Sequence, residues 1–222
     1  TPVSTLVKYF PNRPGFATGL AIMGFGFASL IAGPLMQFLV AQVGLVNNFI
    51  ILGVIYLVVM GASSLYLKAP QPKQPPRTTK DKSTMYVHNH GMLANDTMKT
   101  WQFGALWWIF FINITCGIGL LSLASPMAQE TIGMTPAAAA SLVGIIGIFN
   151  GGGRIAWSTI SDYFGRAQTY ILFFMIEIVA FYLLAQTNSA LTFQILILLI
   201  ITCYGGGFSC MPAYLADLYG IR

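Results

Sequence analysis

The sequence predicts an all-α membrane protein with six spanning helices. Three observations carry that prediction. Of the 222 residues, 56% are hydrophobic and only 8% are charged, against about 25% charged in a soluble domain. Six apolar stretches approach or exceed the roughly 20 residues that cross a bilayer as a helix. Basic residues fall in every second connection, the pattern of a positive-inside topology.

The six expected spans are 15–41, 47–67, 103–128, 135–160, 169–185 and 191–215. None shows the period-two alternation of a membrane β-barrel. The net charge of +5 would suit nucleic acid if it were clustered on a folded surface. Instead Lys8 and Arg13 precede the first span, and Lys68, Lys73, Arg77, Lys80, Lys82 and Lys99 separate the second from the third. Arg166 separates the fourth from the fifth, and Arg222 follows the sixth. Connections 42–46, 129–134 and 186–190 hold no Lys or Arg. This arrangement describes topology, with no nucleic-acid partner. It puts both ends and the 68–100 loop in the cytoplasm of a multi-pass protein.

Residues 68–100 are polar and rich in proline, including Pro70, Pro72, Pro75 and Pro76. Such a stretch is too dispersed to bury a core and reads as a linker. Residues 1–67 then form a block of two helices and residues 101–222 a block of four, the organisation of transporters built from two bundles. His88 and His90 fall in this linker and read as solvated. Cys116, Cys203 and Cys210 lie within spans without metal-ligand spacing and read as small packing residues. No cofactor or metal is implied, and no phosphate-binding glycine loop is present. The chain opens on Thr1 and stops soon after a span, as expected of part of a longer protein.

The spans are rich in glycine: Gly15, Gly19, Gly24 and Gly26 in the first, Gly144, Gly147 and Gly151–Gly153 in the fourth, Gly205–Gly207 in the sixth. Close helix packing is the plain explanation, and bending during a conformational cycle the functional one.

The fourth span carries Arg154, whose charge is permanent and costs several kcal/mol at the middle of a membrane helix. Asn150, Arg154 and Trp157, spaced i, i+4 and i+7, are expected on one helix face, beside open space left by Gly147 and Gly151. A guanidinium with an amide and an indole makes a seat for a carboxylate, which arginine binds bidentately. The structural alternative is an internal ion pair with Glu177, an intramembrane carboxylate in the fifth span. Glu177 is also a suspect for proton coupling. At the end of the fourth span, Asp162 is expected to cap a neighbouring helix and Arg166 to meet a carboxylate or a lipid phosphate, a gating role.

The run Asp162-x-x-Gly165-Arg166 resembles the signature loop of the major facilitator superfamily, with Ser158 where the family pattern has glycine. Longer stretches resemble the oxalate:formate antiporter family, whose members include predicted lactate and other carboxylate transporters. They are Lys8-Tyr9-Phe10-Pro11-Asn12-Arg13-Pro14-Gly15, Asn113-Ile114-Thr115-Cys116-Gly117, Ser125-Pro126-Met127-Ala128-Gln129-Glu130, Asn150-Gly151-Gly152-Gly153-Arg154 and Cys203-Tyr204-Gly205-Gly206-Gly207-Phe208. The resemblance implies a twelve-helix fold of two halves, of which this chain covers helices five to ten. It implies that Arg154 binds substrate carboxylate, and that Tyr204 and Phe208 line the cavity. A family lysine on helix eleven would lie beyond Arg222. Gly33-Pro34 resembles the end of an antiporter motif, without the usual Gly-Gly that follows. The implied activity is secondary transport of a small carboxylate (oxalate, formate, lactate or similar) by a monomer in the cell membrane. The coupled species is a counter-anion or a proton. The alternative class is a transporter-like sensor or a membrane-embedded enzyme. An enzyme would call for several ionisable groups within the spans, where this chain holds Arg154 and Glu177.

Overall fold

A computed structural model describes residues 2–10, 12–66 and 93–220. The described chain is helical throughout: α1 (Pro2–Tyr9), α2 (Pro14–Tyr66), α3 (Ala94–Thr97), α4 (Trp101–Pro126), a π-helical turn (Met127–Thr131), α5 (Pro136–Phe164), α6 (Arg166–Gln186) and α7 (Ala190–Tyr219). Six segments are long and apolar enough to cross a membrane: Pro14–Met36, Phe38–Tyr66, Trp101–Thr131, Pro136–Phe164, Arg166–Gln186 and Ala190–Tyr219. The all-α membrane class is therefore the observed one.

The two expected spans at the start of the chain belong to one helical run, interrupted at Gly44. There the backbone leaves helical geometry with φ 80° and ψ 169°, a left-handed region that glycine enters without steric cost. The other four helices run past their apolar windows. α5 continues to Phe164, taking Ser161 and Asp162 into its last turn, because those polar groups find partners on other helices. Thr100 and Thr135 cap α4 and α5 by accepting from Phe103 N–H at 3.4 Å and Ala138 N–H at 3.3 Å, as hydroxyl N-caps do. Part of the expected 68–100 linker is ordered: Leu93 to Thr100 contain α3, and Lys99 pairs with Asp96 at 3.9 Å on the surface. Local hydrogen bonds make that short helix, which apolar patterning does not report. His88, His90 and the basic residues 68–82 lie outside the described residues.

Two apolar clusters hold α4–α7 together. One contains Leu142, Ile146, Phe193, Ile197, Ile200 and Ile201; the other contains Leu106, Tyr170, Phe173, Cys203, Cys210 and Met211. Large apolar side chains such as Phe25, Leu57, Trp101 and Ile171 are exposed on the outside, as a lipid-facing or helix-facing surface requires.

α2 lies antiparallel along α5 in a single register. Its stripe Gly15, Gly19, Ile22, Gly26 meets Asp162, Ser158, Arg154 and Gly151 in that order. A Cβ on Gly26 would run into the backbone of Gly151, and one on Gly19 into Ser158 and into Arg154 O at 2.7 Å. Glycine here allows backbone-to-backbone approach. The same holds between α5 and α7, where a Cβ on Gly153 would meet Thr202 O at 2.7 Å and one on Gly206 would meet Trp157 Cβ at 2.6 Å. Both glycine triplets stay helical. Close packing is thus the geometry of most of these glycines, and Gly151 does not leave open space beside Arg154, because α2 fills it. Gly24, Gly33, Gly144 and Gly152 have nothing within 4 Å of a Cβ.

Candidate functional site

Arg154 is buried, with 2% of its surface exposed. Its Nε donates to Asn150 Oδ1 at 3.1 Å, one turn earlier on α5. Its Nη1 donates to the Ile22 backbone carbonyl of α2 at 3.2 Å. Its Cζ lies 4.9 Å from the Phe208 ring centre on α7 and 5.7 Å from that of Phe25 on α2. Phe208 is braced in turn by Phe110 of α4 at 5.5 Å. The guanidinium is therefore held by two neutral oxygens and flanked by two rings, each contributed by a different helix.

Neither oxygen carries a formal charge, and among the described residues Arg154 has no carboxylate within ion-pair distance. The internal pair with Glu177 is not made. Glu177 of α6 faces α4 instead, where Asn113 Nδ2 donates to its Oε1 at 3.4 Å. Tyr204, one turn before Phe208 on α7, is buried, lies within electrostatic range of Arg154 and packs its ring against Gly117 of α4.

Trp157 departs from expectation. Its indole stands edge-to-face on Phe173 of α6 at 5.2 Å and fills the slot left by Gly206 of α7. It borders the α5–α6–α7 interior rather than the guanidinium. The missing side chain on Gly206 draws the indole inward, and a helical-face count on α5 alone does not include that slot. The aromatic neighbours of Arg154 are Phe208, reached above through family resemblance, and Phe25, which sequence reasoning missed. One phenylalanine among 16 carries no distinguishing signal.

The Arg154 backbone is also tied down. Ser158 Oγ and Ser209 Oγ both donate to the Arg154 carbonyl, the latter at 2.8 Å. Ser158, where the family pattern has glycine, also lies against Gly19 of α2. Two hydroxyls on one helix carbonyl bend and anchor the helix locally, here beneath the charged residue.

At the end of α5 a second polar site joins three helices. Asp162 accepts from Gly15 N–H at 2.8 Å and from Phe16 N–H at 2.9 Å, in the first turn of α2. Gly165 links α5 to α6 with φ 99°, a backbone conformation that any other residue would strain to adopt. The reversal brings Arg166 back over α5. Its guanidinium pairs with Asp162 at 2.5 Å and with Asp217 of α7 at 2.9 Å, and it donates to Ser161 Oγ. Asp217 was not singled out in the sequence. Its signal was an acid in the last turn of a span ending on the same side as Arg166.

Six apolar segments long enough to span a bilayer, with a buried cation that has no carboxylate partner among the described residues and a carboxylate–guanidinium clasp at one end, define a multi-pass membrane protein. The family model described as Major Facilitator Superfamily matches residues 2–222, and the chain belongs to that superfamily. It is 30% identical over 224 residues to the uncharacterized MFS-type transporter YhjX of Escherichia coli (strain K12), covering 99% of this chain and 54% of that protein. It is 26% identical over 222 residues to the oxalate:formate antiporter of Oxalobacter formigenes, covering 98% and 51% respectively. The chain thus spans about half the length of these curated relatives.

Proposed function

We propose that this chain is the central part of a secondary active transporter that carries small organic anions, oxalate, formate, lactate or a similar carboxylate, by alternating access. Arg154 is the residue that receives the carboxylate. The observation that carries this reading is a buried guanidinium whose partners among the described residues are all neutral. Asn150 Oδ1 and Ile22 O orient it without cancelling its charge. A substrate carboxylate supplies the missing anion with the bidentate geometry that arginine favours. The name of the relative from Oxalobacter formigenes supports the same substrate class.

On this reading residues 1–67 are the last two helices of an N-terminal bundle and 101–222 the first four of a C-terminal bundle, joined by a cytoplasmic linker at 68–100. Ile22 and Phe25 then belong to one bundle, and Asn150, Arg154, Tyr204 and Phe208 to the other. A carboxylate neutralising Arg154 lowers the cost of bringing the two together, which links binding to closure. Asp162, Gly165 and Arg166 form a latch at the cytoplasmic end. Sealing there requires the Asp162 cap on α2, and opening requires its release. The protein works as a monomer in the cell membrane.

The test is uptake of a radiolabelled carboxylate by the full-length protein in proteoliposomes. Arg154→Ala is expected to reduce uptake by roughly a hundredfold or more, the scale of losing a buried hydrogen-bonded charge pair. Arg154→Lys keeps the charge but loses the fork and is expected to fall between. Uptake by Arg154→Ala equal to wild type would falsify the assignment.

A further inference from the structure

We propose that Glu177 and Asn113 form a proton-binding site between α6 and α4, in which Glu177 is a neutral carboxylic acid donating its O–H to Asn113 Oδ1. The inference is independent of the role given to Arg154.

Four observations on these side chains carry it. Asn113 is fully buried and Glu177 is 4% exposed. Glu177 has no ion pair among the described residues. Among the described residues, the titratable groups within electrostatic reach of it are Cys116 of α4 and Cys203 of α7, and neither is a cation. Arg154 of α5 is turned towards Ile22 and Phe208, and the contact of α5 with α6 near this level is the apolar pair Trp157–Phe173.

The fourth observation concerns Asn113 itself. Its Nδ2 reaches Glu177 Oε1 at 3.4 Å, while its Oδ1 is buried without any hydrogen-bond partner. A buried acceptor left unpaired is costly, and so is a buried carboxylate with no cation. One proton on Glu177 resolves both. The acid then donates O–H to the Asn113 carbonyl while the Asn113 amide donates to the acid carbonyl, a cyclic acid–amide pair.

The surrounding helices are shaped around this pair. Gly207 of α7 lies so close to Asn113 that a Cβ there would sit 2.6 Å from Asn113 Cγ. The Gly207 carbonyl accepts the Tyr170 hydroxyl of α6 at 2.5 Å, so the roof of the site is itself fixed. The proton is the ligand that joins α4 to α6. Parting those helices removes the acceptor of the acid O–H and frees the proton to leave.

The test is infrared difference spectroscopy on the purified full-length protein at neutral pH. The expected result is a protonated-carboxyl C=O band that shifts in deuterated water, is absent in Glu177→Gln, and moves to higher frequency in Asn113→Leu as its hydrogen bond is lost. A Glu177→Gln difference containing only ionised carboxylate bands overturns the proposal. Thermal unfolding is the second readout. Glu177→Gln keeps one N–H donor for Asn113 Oδ1 and a C=O acceptor for the Asn113 amide, so its midpoint should stay close to wild type. A Glu177→Gln protein that fails to fold also overturns it.

Discussion

Asp162 of α5 accepts the Gly15 backbone N–H of α2 at 2.8 Å, across 147 residues of sequence. With Phe16 N–H on the other carboxylate oxygen, one side chain satisfies two of the donors that a helix start leaves without partners, and its charge meets the positive end of the helix dipole. Arg166 then holds the carboxylate from the other side. Asp217 also pairs with Arg166 but is 47% exposed, against 6% for Asp162.

These burials separate the two acids. Asp162→Ala removes the α2 cap and strips Arg166 of its buried partner, at a cost of about 3 kcal/mol. Asp217→Ala removes a partly hydrated partner, at about 1 kcal/mol or less. Thermal unfolding of the purified protein, followed by tryptophan fluorescence, should rank Asp162→Ala well below Asp217→Ala. Equal midpoints would show that the carboxylate does not hold α2.

The glycine triplet of α5 supplies a contrast between neighbours. Gly152 has nothing within 4 Å of a Cβ, whereas a Cβ on Gly153 meets the Thr202 carbonyl and Cα at 2.7 and 2.8 Å. That neighbour is helix backbone, so it cannot swing aside. Gly152→Ala should therefore stabilise by roughly 0.5–1 kcal/mol through the entropy of the unfolded chain. Gly153→Ala should destabilise by about 1–3 kcal/mol through overpacking. Opposite shifts in unfolding midpoint are the expected outcome, and a Gly153→Ala midpoint above wild type would contradict the α5–α7 contact.

The spans were legible in the sequence because length and apolarity decide them within each segment. So was the Asn150–Arg154 contact, which is one helical turn. What was not legible depends on the register between helices. Ile22 O meets Arg154 because Gly15, Gly19 and Gly26 set α2 at one height along α5. Any other height would present another carbonyl and another side chain in place of Phe25. Trp157 was misplaced for the same reason, since the slot it fills is made by Gly206 of another helix. Capping by Asp162 could be anticipated from its charge at a span end, but the identity of the capped helix could not.

Phe25 and Phe208 make the last prediction, because they flank one cation from different helices. A ring near a guanidinium contributes about 0.5 kcal/mol at an exposed site and about 2 kcal/mol or more when desolvated. Phe208 is the nearer ring, at 4.9 Å, and is half-buried against Phe110. Phe25 stands at 5.7 Å and is 77% exposed. On the proposed carboxylate site, Phe208 moves with Arg154 and acts in every state of the cycle. On the proposed two-bundle reading, Phe25 sits on the other bundle and touches Arg154 only while the two are closed. Phe208→Ala should therefore weaken carboxylate binding by about tenfold from either side of the membrane. Phe25→Ala should change affinity by less than about threefold and shift the balance between open and closed forms. Competition with unlabelled carboxylate in right-side-out and inside-out vesicles measures the first, and cysteine accessibility at engineered positions along α2 measures the second. If Phe25→Ala costs as much affinity as Phe208→Ala, with no change in accessibility, α2 belongs to the binding seat itself and does not close over it.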